Sequence, residues 1–195
     1  MKNNSFLETI KAVDGEVFHI HYHQQRYESV LKYFHIYKFQ NLHILLNPPS
    51  HGTYRCRVVY TLDGTITISY HTYEKRNITS LKIIHDNTIQ YNKKSTNREY
   101  LNTLFEKKDT CDDVLIVKNG FITDISIANI AFFNGKEWLT PSHALLKGVT
   151  RQRYLECGKI REAEIELTDV KTFKKVALLN AMIDFAIIPN IIFTY

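Results

Sequence analysis

The sequence predicts a mixed α/β fold in two lobes, and three observations predict it. Short apolar runs with strand alternation are interleaved with segments of helical spacing along the whole chain. Asp-Gly and Asn-Gly pairs sit between neighbouring runs, at Asp14-Gly15, Asp63-Gly64 and Asn119-Gly120, where a tight hairpin needs residues that accept positive φ. A polar stretch from His71 to Asn77 then divides a first lobe, 1–72, from a larger second one, 77–195.

In the first lobe, Phe6 to Ala12 and Glu16 to Tyr22 are expected strands around the Asp14-Gly15 turn. From His23 the spacing turns helical, with Tyr27, Val30, Leu31 and Phe34 on one face. Pro48-Pro49-Ser50-His51-Gly52 breaks the chain, and strands follow at Tyr54 to Leu62 and Thr65 to Tyr70. The second lobe opens with a strand at Ser80 to His85 and a helix at Asn97 to Lys107. Strands are expected at Val114 to Lys118, Ile122 to Ile125 and Ile130 to Phe133. A helix from Val149 to Glu156 ends at Gly158, and a strand runs from Ile160 to Leu167. Thr168 is the expected cap of a short helix, and Val176 to Asn180 is a last strand running into Ala181-Met182.

Composition narrows the class. A chain of 195 residues, 44% hydrophobic and 12% aromatic, can bury a sizeable core. No apolar run approaches the roughly 20 residues of a membrane span, and the N-terminus shows no signal-peptide pattern. Three scattered cysteines, an odd number, read as free thiols of a reducing cytoplasm. The net charge of +5 comes from basic residues mixed with acids, without a basic tract of five or more. That pattern argues against nucleic acid and fits an anionic small molecule equally well.

Three segments carry chemistry in order: Lys94-Ser95-Thr96-Asn97-Arg98, Thr123-Asp124-Ile125-Ser126-Ile127-Ala128-Asn129, and Gly148-Val149-Thr150-Arg151. They supply an amine, an acid on a turn between apolar runs, and a glycine opening a helix whose first amides attract anions. Taken singly, each has an ordinary reading: a solvated lysine, a turn acid, a loop-to-helix joint. Arg26, in His23-Gln24-Gln25-Arg26, would by default be a surface residue of its helix. Arg55 and Arg57 share one strand face, where two guanidinium groups repel unless an anion joins them. His19, His21 and His23 alternate as strand-surface residues would, without a cluster of further metal ligands nearby.

Taken together, Tyr91-x-x-Lys94-x-x-x-Arg98, the Asp124 to Asn129 turn and Leu145-Leu146-Lys147-Gly148-Val149-Thr150-Arg151 resemble the class IV aminotransferase family, the fold-type-IV pyridoxal phosphate (PLP) enzymes. The resemblance runs from about Phe6 to about Asp184. It implies the two-lobed fold of D-amino-acid aminotransferase, shortened at the N-terminus, since the family's usual strand ahead of Leu7 has no counterpart. It also implies a homodimer, with the cofactor between the lobes. Lys94 takes the place of the Schiff-base lysine, with Lys93 as the fallback. Asp124 takes the place of the family's glutamate on the pyridine nitrogen, one methylene shorter. The backbone of Val149 and Thr150, the Thr150 hydroxyl, the Asn180-Ala181 turn and Arg26 correspond to phosphate contacts. Arg57, with Arg55 beside it, corresponds to a substrate-carboxylate contact. The activity implied is lyase chemistry on a carboxylate-bearing amine: 4-amino-4-deoxychorismate to 4-aminobenzoate and pyruvate, a step toward folate. Amino-acid aminotransfer is the alternative, and a non-catalytic scaffold the third.

Overall fold

A computed structural model describes residues 5–195, which form two compact units. The first runs to Lys75 and takes in Lys93–Asn97; the second comprises Arg76–Asn92 and Arg98–Tyr195. The linear boundary expected from the sequence therefore misses an exchange of five residues. Backbone pairing accounts for it: the Leu7 amide donates to the Lys94 carbonyl at 2.9 Å, and the Thr96 amide to the Ser5 carbonyl at 3.0 Å.

The first unit is an antiparallel sheet under helices. Its strands are β1 (Ser5–Val13), β2 (Glu16–Val17), β3 (Thr53–Thr61) and β4 (Ile66–Thr72), in the order β2-β1-β3-β4. Helices α1 (Ile20–Tyr33) and α2 (Leu42–Leu45) complete it. Asp14 and Gly15 both take positive φ, 49° and 85°, as a two-residue hairpin requires. One face of β1 and β3 presents Phe6, Ile10, Ala12, Cys56, Val58 and Tyr60 to Tyr27, Val30 and Leu31 of α1. Glu8 pairs with Val58 in register and so lies on that same apolar face.

In the second unit, β5 (Ser80–His85) runs parallel to β6 (Asp113–Lys118), with α3 (Glu99–Glu106) between them in the chain. Strands β7 (Phe121–Ile125), β8 (Asn129–Phe133) and β9 (Trp138–Pro141) follow, then α4 (Val149–Glu156) and β10 (Ile160–Ala163). After a 3-10 turn, Leu167–Thr172, come β11 (Lys175–Asn180), β12 (Asp184–Ile188) and β13 (Ile192–Thr194). The order is β10-β9-β8-β7-β6-β5-β13, with β11 also pairing β8 and β12. Strands β6, β7 and β8 are buried almost throughout and packed with Val, Ile, Leu and Phe, the pattern of strands covered on both faces.

Several expectations need correcting. Strand β2 stops at Val17, because His19 enters a left-handed turn (φ 55°) and α1 begins at Ile20. His21 and His23 are thus helical rather than strand residues, and His23 is buried. The strand at Ile160 ends at Ala163, and Glu166, not Thr168, caps the following turn. Helix α2 and strands β9 and β13 carry too few residues for periodicity to declare them, and β12, as long as β7 and β8, was passed over. The three cysteines are free, Cys56 and Cys111 buried and Cys157 exposed. No helix of the described residues is long and apolar enough to cross a membrane.

Candidate functional site

In the second unit, the acid is joined by a ring of hydrogen bonds to Asn129 and to Leu146, two residues ahead of the helix-opening glycine. Asp124, on β7, stands opposite Asn129 at the start of β8. Its Oδ1 accepts from Asn129 Nδ2 at 2.8 Å, and its Oδ2 accepts from the Leu146 amide at 3.0 Å. The second Asn129 Nδ2 hydrogen goes to the Leu146 carbonyl, also at 2.8 Å. Two residues on, Gly148 begins α4 in extended conformation, without a side chain to cap the first amides. A Cβ at Gly148 would lie 2.1 Å from Asn129 Oδ1, so only glycine fits there. Burial pushes the Asp124 carboxyl up to about 6, against the Leu146 amide, the Asn129 amide and the charge of Arg151. Arg151 is itself buried on α4, donating through Nη2 to the Pro141 carbonyl at 2.9 Å and to Glu162 at 2.6 Å.

Neighbouring turns hold this arrangement. Asp113 is fully buried and accepts from the Ser126 amide and hydroxyl at 3.1 and 2.9 Å. Arg98 donates to the Ser126 carbonyl at 2.8 Å. Asn180 accepts from the Met182 and Ile183 amides at 2.9 and 3.0 Å and donates to the Ile127 carbonyl at 3.3 Å. The Asn180-Ala181 turn is therefore tied to the turn after Asp124, and the Asn180 side chain is spent on building it. Residues 124, 149, 150, 180 and 181 all belong to this unit.

The first unit holds the remaining candidates. Lys94 is the centre of a three-residue turn closed by the Ser95 amide on the Lys93 carbonyl at 2.8 Å. The fallback residue, Lys93, has its ammonium 3.8 Å from the centre of the Tyr33 ring, a cation–π contact. Arg26 is not a surface residue: its Nε and Nη2 donate to Glu8 at 2.8 and 2.6 Å. His23 Nδ1 donates to Glu8 Oε2 at 2.7 Å, since a carboxylate can only accept. Burial, aided by the charges of Arg26 and Lys94, holds His23 below its usual pKa against the hydrogen bond and charge of Glu8. Arg55 and Arg57 lie on the other face of β3, opposite Lys11 and Thr9 of β1 and His71 and Ser69 of β4. The sheet therefore separates Arg26 from the arginine pair.

Sequence reasoning passed over Glu8, and treated His23 as a surface residue. The signal was present: an acid at the third position of Phe6-x-Glu8-x-Ile10-x-Ala12 falls on an apolar strand face and demands a partner. His23 and Arg26, at i and i+3 on a helix, can both reach one such group. Asn129 was noticed only as a neighbour of Asp124, because its bond to Leu146 spans 17 positions of chain.

The family model for amino-transferase class IV matches residues 5–191. A Haemophilus somnus crystal structure described as "a putative 4-amino-4-deoxychorismate lyase" superposes with a TM-score of 0.83 at 34% identity, covering 93% of this chain and 98% of that one. An "Uncharacterized protein" of Haemophilus influenzae is 34% identical over 181 residues, 90% of this chain and 96% of its own. "Putative aminodeoxychorismate lyase" of Schizosaccharomyces pombe is 29% identical, over 93% of this chain and 87% of its own. This chain therefore spans nearly the whole length of both Haemophilus chains. On a family match over nearly its whole length and on relatives at 34% identity, the chain belongs to the class IV aminotransferase family, whose fold is that of pyridoxal-phosphate-dependent enzymes.

Proposed function

We propose that this chain binds PLP through Lys94 and converts 4-amino-4-deoxychorismate to 4-aminobenzoate and pyruvate, supplying a folate precursor in the cytoplasm as a homodimer. The observation that carries the reading is the ring of bonds joining buried Asp124 to the turn that opens α4. An acid for a heterocyclic nitrogen and amides for a phosphate are thereby built as one piece. The donor set fits the cofactor: an acid shielded from water, a glycine where a Cβ would collide, and a helix start without a side-chain cap. Family membership and the printed descriptions of the H. somnus and S. pombe relatives support the lyase.

When bound, PLP supplies an electron sink for bonds broken at the carbon bearing the substrate amine. Lys94 Nζ would hold the aldehyde and afterwards move the proton of that carbon. Asp124 would keep a proton on the ring nitrogen. Its titration near 6 leaves it largely ionised at neutral pH, as that role needs. The amides of Val149 and Thr150, the Thr150 hydroxyl, the Asn180-Ala181 turn and Arg26 would take the phosphate. Arg57 and Arg55 would meet the two carboxylates of the substrate.

The test uses purified protein with PLP added. Wild type and Lys93→Ala are expected to develop a visible absorption band that Lys94→Ala lacks, and wild type to release pyruvate from aminodeoxychorismate. Formation of 2-oxo acids from amino acids instead would make it an aminotransferase. Protein that stays colourless would make it a non-catalytic scaffold.

A further inference from the structure

We propose that Asn129 is a positioning residue that couples the two ends of the cofactor site, so that a change at Asp124 is felt at the phosphate turn and the reverse. The inference rests on the PLP reading above and adds a residue and a linkage to it.

Both Nδ2 hydrogens of Asn129 are used, one on Asp124 Oδ1 and one on the Leu146 carbonyl. Leu146 closes the circuit by donating its amide to Asp124 Oδ2. The remaining atom, Asn129 Oδ1, occupies the space a side chain at residue 148 would need. The amide therefore touches the acid on one side and the start of α4 on the other. Its own place is fixed from two directions, because Asn129 pairs with Asp124 on β7 and with Leu179 on β11. Asn129 and Asp124 are each only 5% exposed, so water cannot readily replace a lost bond.

Chemistry makes the ring intolerant of one-sided change. Asp124→Asn puts an N–H against either the Asn129 Nδ2 or the Leu146 amide, whichever way it is turned. One donor must then withdraw, and either route moves the segment that leads into Gly148. Conversely, an anion on the first amides of α4 fixes Leu146 and Gly148 and so stabilises the donors around Asp124. Such a linkage is reciprocal in binding free energy.

Equilibrium titrations with PLP and with pyridoxal, which lacks the phosphate, read the two ends separately. The ratio of the two affinities reports the phosphate turn, and the pH midpoint of the bound pyridoxal spectrum reports Asp124. Thr150→Val is expected to lower the ratio alone. Asn129→Ala is expected to lower the ratio about tenfold, as for one buried hydrogen bond, and also to move the midpoint. Asp124→Asn is expected to lower the ratio in the wild-type background and to leave it unchanged once Asn129 is alanine. Should Asn129→Ala fail to fold, Asn129→Asp keeps the shape of the side chain while removing both N–H donors, and the same double signature is expected. If Thr150→Val lowers the ratio but Asp124→Asn does not, the two ends are independent and the coupling is overturned while the cofactor reading stands. If wild type binds neither compound, the cofactor reading falls and the coupling with it.

Discussion

Glu8 in the first unit and Asp124 in the second are both withdrawn from water, yet their surroundings drive them in opposite directions. Burial raises each of them. At Glu8 it is overcome by the charge of Arg26, the hydrogen bonds from His23 and Arg26 and the lesser charge of His23, which hold the carboxyl at about 2. At Asp124 the strongest opposing groups are neutral amides, those of Leu146 and Asn129, with the Arg151 charge behind them, and the carboxyl stays at about 6. Asp113 repeats the second case: buried, bonded to Ser126 and Val114, with Arg76 the least of its partners, it is also raised. Burial alone does not decide whether an enclosed acid is charged; a full counter-charge in contact does. Glu8 is locked as an anion that organises Arg26, whereas Asp124 titrates much nearer to neutral pH.

The largest expected effect tests the locked half. Glu8→Ala leaves Arg26 and His23 facing an apolar core without a counter-charge, and loss of one member of a buried ion pair costs about 3–5 kcal/mol. Asp124→Asn removes a group held by neutral donors and should cost about 1–3 kcal/mol. Urea midpoints of the two variants compare them directly. A Glu8→Ala loss no greater than that of Asp124→Asn would remove the distinction between the sites.

The pH dependence sharpens the same contrast, with opposite signs. Asp124 titrates higher in the folded chain than its ordinary value of 3.8. Its contribution is therefore complete below about pH 4 and is lost as pH rises through about 6, a change on the order of 3 kcal/mol. Glu8 titrates lower than its ordinary value of 4.5. Its contribution is complete above that value and is lost as pH falls toward 2. Stability of wild type relative to Asp124→Asn should decline between pH 4 and 7. Relative to Glu8→Gln it should rise between pH 2 and 5 and then level. A curve of the same sign for both variants would contradict the assignment.

What could be read in the sequence divides along similar lines. The hairpins at Asp14-Gly15 and Asn119-Gly120 were legible because positive φ restricts residue choice locally. Helix α4 was legible from Gly148 to Gly158, and the buried runs of β6 to β8 from composition. The nearness of Asp124 to the turn before Gly148 was legible only as a pattern of neighbours. What the sequence could not reveal was the company each kept. The contacts of Glu8 with His23 and Arg26 cross 15 and 18 positions, and that of Asp124 with Leu146 crosses 22. The transfer of Lys93–Asn97 to the first unit depends on pairing with Ser5 to Leu7, some 90 positions away. Arg26 could be singled out by its His-x-x-Arg pattern, but its buried acid partner could not, because helix spacing says nothing of the facing strand.

The smallest effect expected concerns Tyr60, whose hydroxyl is buried in the first unit without a hydrogen-bond partner among the described residues. Its ring packs edge-on against Tyr27 at 4.8 Å, and burial, followed by the Glu8 charge, pushes its pKa up. The charged cluster is thus complete without Tyr60: Glu8 is satisfied by Arg26 and His23, and the hydroxyl is a bystander that has given up its bonds to water. Tyr60→Phe keeps the ring and removes the unmet group, so stability should be unchanged or rise by up to about 1 kcal/mol. The acid limb of the Glu8 curve should stay where it was. A loss of more than about 1 kcal/mol, or an acid limb displaced upward, would mean that Tyr60 holds the Glu8 carboxylate as a third donor. The locked site would then owe its low titration to a neutral hydroxyl as well as to a cation, and the rule drawn from Glu8 and Asp124 would weaken.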